Sequence, residues 1–367
     1  MMELETILIA IIVSLSCSLC GVFLVLRRMS LMSDAISHSI LLGIVLGYFL
    51  SKSLSSSVPV IGAVFAGMAS VLFTELLQKT RLVKSDAAIG LVFPAMFSAG
   101  VILVSLYAGN VHLDIDAVLL GEIGLAPLDR IMFFGVSVPR SMVSMGAVLL
   151  LNLVFLTLFF KELKISTFDP GLSKSLGFSP TLINYGLMLA VSITCVGSFD
   201  SVGAVLVIAL MITPSAAALL LTDDLLTMLI LAGLLASLSA ISGFFVAVKI
   251  DGSIAGAMAA MTGVIFCIVY LFSPKHGFIR RRLSVQKLRM DFWLSMLSVH
   301  LFTHQGTAEE RNECTEQHLV DRLNWTNRKA RLIVATAQKR GLVQNKDGLL
   351  ILSEKGDALA RKAITEI

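Results

Sequence analysis

No GxxxxGK[ST] stretch occurs in the 367 residues, so the chain lacks the loop whose backbone amides cradle nucleotide phosphates and is not expected to hydrolyse ATP itself. Charge is scarce too. Asp, Glu, Lys and Arg make up 15% of the residues and apolar types 56%, against about 25% and about 45–50% in soluble domains. So little charge cannot cover a water-facing surface, and several runs approach the roughly 20 apolar residues that cross a bilayer. Cysteines are few: Cys17, Cys20, Cys195, Cys267 and Cys314, four of them in apolar runs. Their spacing and setting suit neither a disulfide framework nor a zinc cluster, so buried free thiols are expected, and Cys17-x-x-Cys20 reads as packing rather than redox chemistry. A basic segment before the first apolar run is also missing. Glu3 and Glu5 stand there instead, and the run is read as a retained helix, not a cleaved signal.

Apolar runs predict nine membrane helices near 6–26, 31–50, 57–78, 87–108, 141–160, 182–199, 201–221, 225–247 and 253–273, the seventh interrupted by Pro214. Residues 110–129, with Asp114, Asp116, Glu122 and Pro127, read as a surface or partly re-entrant loop. With the N-terminus outside, 12 basic residues fall on inner loops and 4 on outer ones, the bias the positive-inside rule requires. Through residue 279 there are 13 Lys+Arg against 15 Asp+Glu, and from Arg280 onward 16 against 10. The composition therefore divides the chain into a membrane body, residues 1–282, and a basic cytosolic tail, 283–367.

The segment MSLMSDAISHSILLGIVLG (29–47) places Asp34 and His38 four residues apart, on one face of a helix. A carboxylate within an apolar span costs about 2.5–3.5 kcal/mol on insertion scales, so the pair needs a reason to be there. Ala35, Ser39, Gly43 and Gly47 repeat every four residues alongside it. Small residues at that spacing let helices approach closely in lipid, which puts the pair at a helix–helix contact rather than against lipid. Oxygen and imidazole donors suit Mn²⁺ or Zn²⁺. One Asp and one His leave the coordination sphere incomplete, as release of a transported ion demands, and a second subunit would double the count. A structural Asp–His hydrogen bond is the other reading the spacing allows. His112 and Asp114 form a second candidate cation site at the outer mouth, alongside the reading as a solvated loop. Between spans, KELKISTFDPGLSKSLGFSP (161–180) reads as a two-turn surface helix: Asp169 caps it, Pro170 opens it, Gly177 closes it, and Leu172 and Leu176 share a side. It is either a plain connector or a knob that docks into another protein.

The stretch LRRMSLMSDAISHSILLGIVLG closely resembles a segment of the zinc and manganese permease family of ABC transporters. Four more family-like stretches follow in order: TRLVKSDAAIGLVFPAMFSAGVIL, FDPGLSKSLGF, VGAVLVIALMITPSAAA and SPKHGFIRR. The resemblance spans roughly residues 5–282. It implies that Asp34 and His38 belong to the metal pathway and that FDPGLSKSLGF contacts ATPase subunits.

Beyond Arg280, a helix near 291–304 is followed by a helix, a turn, a basic helix, a hairpin about LVQNKDGLLIL and a final helix. This order resembles the winged helix-turn-helix part of diphtheria-toxin-repressor-type metal regulators, with Arg328, Lys329 and Arg331 in the recognition-helix position. The i,i+4 pairs His300–His304 and Cys314–His318 could hold zinc. The fold expected is an all-α polytopic membrane protein with a small cytosolic winged-helix domain. The function expected is that of a non-enzymatic permease subunit in a bacterial inner-membrane importer of Mn²⁺ or Zn²⁺, with Fe²⁺ open. The metal is then cargo and no cofactor is resident. The partners are ATPase subunits, a second permease subunit, an extracytoplasmic metal-binding protein and membrane lipid, but not DNA. An ion-gradient-driven carrier and a membrane-tethered metal-responsive transcription regulator are the alternatives.

Overall fold

The computed structural model describes residues 2–53, 56–107, 123–133, 135–275, 277–346 and 348–365. Its contacts separate into two compact units, Met1–Gly277 and Phe278–Ile367.

In the first unit, four helices run in succession: α1 (Met2–Leu26), α2 (Leu31–Ser51), α3 (Ser57–Lys79) and α4 (Ser85–Tyr107). Antiparallel strands β1 (Arg130–Phe133) and β2 (Val136–Pro139) form a hairpin in which Arg130 pairs with Pro139. The Arg130 guanidinium grips Glu5 of α1 at 2.9 and 3.2 Å. Then come α5 (Arg140–Leu158), the short α6 (Phe160–Phe168) and α7 (Pro170–Ser175), and the long α8 (Pro180–Leu221), α9 (Leu225–Ile250) and α10 (Ile254–Phe272). Nine stretches among the described residues are long and apolar enough to cross a membrane, two of them within α8.

The break in α8 does not fall at Pro214, where the sequence suggested an interruption. It falls at Gly203 (φ 74°, ψ 163°), just inside the second of the two candidate spans, Pro180–Phe199 and Ser201–Leu221. That backbone region is open essentially to glycine alone.

The first unit is filled with small residues and faced with large ones. α1 packs against α5, α8 and α9, and α2 packs against α3, α4 and α8. Buried hydroxyls return their hydrogen to the carbonyl one turn back, as Ser39 does to Ala35 (2.7 Å) and Thr194 to Ala190 (2.7 Å). Each such bond meets a polar hydrogen in a medium without water. Cys17 and Cys20 contact Ser198 and Thr194 at 3.8 Å, and the cysteines are free. Leu150, Ile230, Leu234 and Phe245 point outward, as lipid contact allows and water would not.

The second unit opens with α11 (Phe278–His304), so the compositional boundary at Arg282 falls inside a helix. After α12 (Glu310–Glu313), α13 (Glu316–Arg322) and α14 (Asn327–Lys339) come β3 (Val343–Lys346), β4 (Leu349–Leu352) and α15 (Glu354–Thr365). Leu297, Leu301, Leu319, Trp325, Ile333 and Leu350 form part of its apolar core. The strands pair from Val343–Leu352 to Lys346–Leu349, and Leu350 N–H donates to the Cys314 carbonyl at 2.9 Å.

Candidate functional site

Asp34 and His38 lie on α2 with Oδ1 and Nε2 3.2 Å apart, about one third and just over one quarter exposed. The sequence gives the i,i+4 pairing. What it does not give is the aromatic wall: the His38 ring stacks on Phe93 (centroids 5.6 Å, 26°) and meets Phe97 edge-on (5.7 Å, 78°), both from α4. Phe93 and Phe97 are themselves four apart, the one local signal that could have found them. The wall packs against the imidazole, and both side chains of the pair stay partly exposed. Within this chain the pair sits at the contact of α2 with α4 but is not fully buried there. Its neighbouring ridge is: Ala35, Ser39, Gly43 and Gly47 are buried. A Cβ on Gly43 would lie 2.2 Å from the Gly62 carbonyl oxygen of α3, and one on Gly47 2.6 Å from Pro59 Cα. Ser39 Oγ reaches Met96 of α4 at 3.6 Å. The small residues thus place α2 at backbone contact with α3 and bring α4 close enough to cradle His38.

The second constellation is the α6–α7 segment. Asp169 Oδ1 accepts from Leu172 N–H at 2.9 Å, and Pro170 occupies the first helical position. At the far end Gly177 (φ 85°) donates to Lys174 O and Phe178 to Ser173 O, both at 3.0 Å, the paired bonds of a Schellman close. α7 is six residues, not the two turns expected, with Leu176 as its C-cap. Leu172 and Leu176 are 50% and 54% exposed, and Phe168 is also exposed, so the knob presents apolar side chains outward.

Arg27, in the turn between α1 and α2, fastens this segment. Its guanidinium donates to Thr167 Oγ1 (3.1 Å), Ser166 Oγ (2.9 Å) and Asn184 Oδ1 (2.9 Å), one residue pair before α7 and one residue after it. Burial lowers its pKa to about 10, still protonated at neutral pH. The partners are 139 to 157 residues away in sequence, so no local pattern announces them. A cavity of about 430 Å³ lies beside it, lined in part by Arg27, Glu75, Thr167 and Asn184. Glu75 pairs with Lys79 at 3.4 Å, as i,i+4 spacing leads one to expect, and also accepts from the Tyr185 hydroxyl. His112 and Asp114, the outer-mouth candidates, lie outside the described residues.

In the second unit the basic residues of α14 are partly engaged. Lys329 Nζ sits 4.1 Å from the Trp293 ring centroid and 5.4 Å from that of Trp325, and Arg331 faces Glu316 at 3.5 Å. Cys314 is fully buried in the apolar core, where burial pushes its thiol up to about 11. Cys314 is not among the donors that the described residues bring within 4.8 Å of one another.

Residues 2–273 match the ABC 3 transport family. The chain is 69% identical over 360 residues to the zinc transport system membrane protein TroD of Treponema pallidum (strain Nichols), covering 98% of each chain. It is 46% identical over 293 residues to the manganese transport system membrane protein MntD of Bacillus subtilis (strain 168), covering 79% of this chain and 99% of MntD. About a fifth of this chain thus has no counterpart in MntD. A solved structure of PsaBC from Streptococcus pneumoniae in complex with Fab superposes with a TM-score of 0.64 at 27% identity, covering 76% of this chain and 94% of that one. A family match over residues 2–273 and relatives at 69% and 46% identity, with nine candidate spans among the described residues, show that the chain belongs to the ABC 3 transport family as a membrane permease.

Proposed function

We propose that this protein is the permease subunit of an ATP-driven importer that carries Mn²⁺ or Zn²⁺ across the bacterial inner membrane. The observation that carries the reading is the Asp34–His38 pair, a carboxylate and an imidazole 3.2 Å apart on a membrane helix of a chain whose relatives are named for zinc and manganese transport. Donors of this kind bind both ions, and affinity alone favours zinc. The open side of the pair faces a second permease subunit, identical or related, whose own donors complete the coordination sphere in transit. An extracytoplasmic metal-binding protein delivers the ion at the outer mouth, where His112 and Asp114 belong. The N-terminus is outside and the tail in the cytosol, following the basic residues.

ATP is hydrolysed by separate subunits that receive the α7 knob, with Asp169, Pro170 and Gly177 shaping it and Leu172 and Leu176 entering an apolar groove. Uptake of radioactive Mn²⁺ and Zn²⁺ in competition, by cells producing the complex with and without its ATPase, tests the whole reading. Leu172→Asp with Leu176→Asp is expected to release the ATPase in a pull-down and abolish ATPase-dependent uptake, because two charges enter the groove. Full recovery of the ATPase by that variant places the docking helix elsewhere, and uptake that needs no ATPase overturns the proposal in favour of a gradient-driven carrier.

Residues 283–367 are read as a winged-helix regulatory domain acting in place rather than on chromosomal DNA. Lys329 is held between two tryptophan rings and Arg331 faces a carboxylate, so two of the three basic residues at the recognition position already have partners within the domain. The full-length protein in detergent is expected to bind promoter DNA only weakly, with an affinity that collapses between low and physiological salt. Tight, sequence-selective binding that survives physiological salt instead supports a membrane-tethered regulator.

A further inference from the structure

We propose that the second unit carries a binding site for a divalent transition metal built by His300, His304 and Glu313, with His318 at its edge. His300 and His304 stand one turn apart at the end of α11, their ring centroids 4.8 Å from each other. Glu313 closes α12 against them and is only 5% exposed. One donor atom from each of the three lies within 4.8 Å of the other two. Bonds of about 2.0–2.2 Å in a tetrahedral site set ligand atoms roughly 3.4 Å apart, so small side-chain rotations bring the set to a metal's radius.

The carboxylate is already presented. Arg322 Nη2 holds Glu313 Oε1 at 3.2 Å, while the buried Oε2 faces imidazole nitrogens. Two histidine nitrogens approach that oxygen: His318 Nε2 at 3.0 Å and His300 Nε2 at 3.8 Å. A buried carboxylate oxygen ringed by imidazole nitrogens and steadied from behind by an arginine is the arrangement of a ligand with its outer support in place. His300 Nε2 also touches the Glu313 carbonyl oxygen at 3.2 Å, the contact a metal would replace. The donor set, nitrogen and oxygen without thiolate, matches the chemistry proposed for the cargo. A bound ion would join the end of α11 to the α12–α13 segment that precedes the basic helix. That regulatory consequence rests on the reading of the tail given above, but the site itself does not.

The test uses the full-length protein in detergent, with Asp34→Asn and His38→Ala combined to silence the candidate pathway, and Co²⁺ as the spectroscopic probe. One Co²⁺ per chain is expected to give the visible bands of a four-coordinate N/O site, to be displaced by Zn²⁺, and to raise the melting temperature. Glu313→Gln, nearly isosteric, and His304→Ala, at a helix end, are each expected to weaken Co²⁺ binding by at least about 100-fold, since loss of even an outer-shell partner costs about 10–100-fold. Absence of Co²⁺ binding in the background protein overturns the site. So do bands and melting shift that persist unchanged in both variants. Either failure leaves the transport reading standing, because that is measured on the wild-type complex by uptake.

Discussion

Asp34→Asn and His38→Ala are each expected to bring Mn²⁺ and Zn²⁺ uptake to background, a loss of at least about 100-fold, while the permease still inserts and still retains its ATPase. The separation of effects follows from the geometry. An ionised carboxylate in a membrane helix opposes insertion by about 2.5–3.5 kcal/mol, and Asp34 has no buried partner that its removal would strand. Its contact is His38, itself partly exposed. Asparagine keeps the shape and removes the charge, so protein yield should be unchanged or higher as transport disappears. His38→Ala opens space beside Phe93 and Phe97 without exposing a buried polar group, so a modest fall in melting temperature can accompany the loss. Initial rates of ⁵⁴Mn and ⁶⁵Zn uptake, set beside ATPase recovery in a pull-down, decide the matter. Wild-type rates in both variants would sink the pathway assignment and leave the pair a structural hydrogen bond.

Gly43→Leu is expected to eliminate folded permease. The Cβ alone would stand 2.2 Å from the Gly62 carbonyl oxygen and 2.6 Å from Ala63 Cα. Extra methylenes in a packed core cost about 1–3 kcal/mol when neighbouring side chains can move. Here the neighbour is backbone, so α2 must separate from α3 along its length, and even Gly43→Ala should be damaging. Gly90→Ala on α4 is the matched control, because nothing lies within 4 Å of the added carbon. The readout is the monodisperse fraction after detergent extraction together with its melting temperature. Normal values for Gly43→Leu would mean that the α2–α3 contact is looser than described.

The spans were readable because bilayer thickness sets a length and an apolarity that leave little choice. The predicted and observed helices accordingly differ by only a few residues at their ends. Local polar logic was readable as well: Asp169 accepts the backbone hydrogen its position implies, and Asp34 meets His38 because i and i+4 share a face. What escaped depends on which helices come together. Gly203 looks like any of 27 glycines until its φ is seen, whereas Pro214 drew attention and merely sits in a continuous helix. The aromatic wall requires α4 to lie against α2. Glu313 becomes a partner of His300 only after the chain turns back between α11 and α12, and Cys314 is withdrawn by the same turn, because adjacent residues face core and cluster respectively.

Arg27 gives the α7 knob a mechanical property. A six-residue helix has too few internal bonds to persist alone, and a soft knob would fray under load instead of conveying it. α7 is fixed at both ends, by Asp169 in front and by the Gly177–Phe178 close behind. The three donors of Arg27 seize the chain just before it and just after it. Arg27 itself leads through a four-residue turn into α2, seven positions ahead of Asp34. If a partner displaces the knob, the movement reaches the base of α2, which carries Asp34 and His38, through one multiply anchored side chain, with little slack. On the function proposed above, the guanidinium is the crankpin between a nucleotide-driven stroke and the ion's seat.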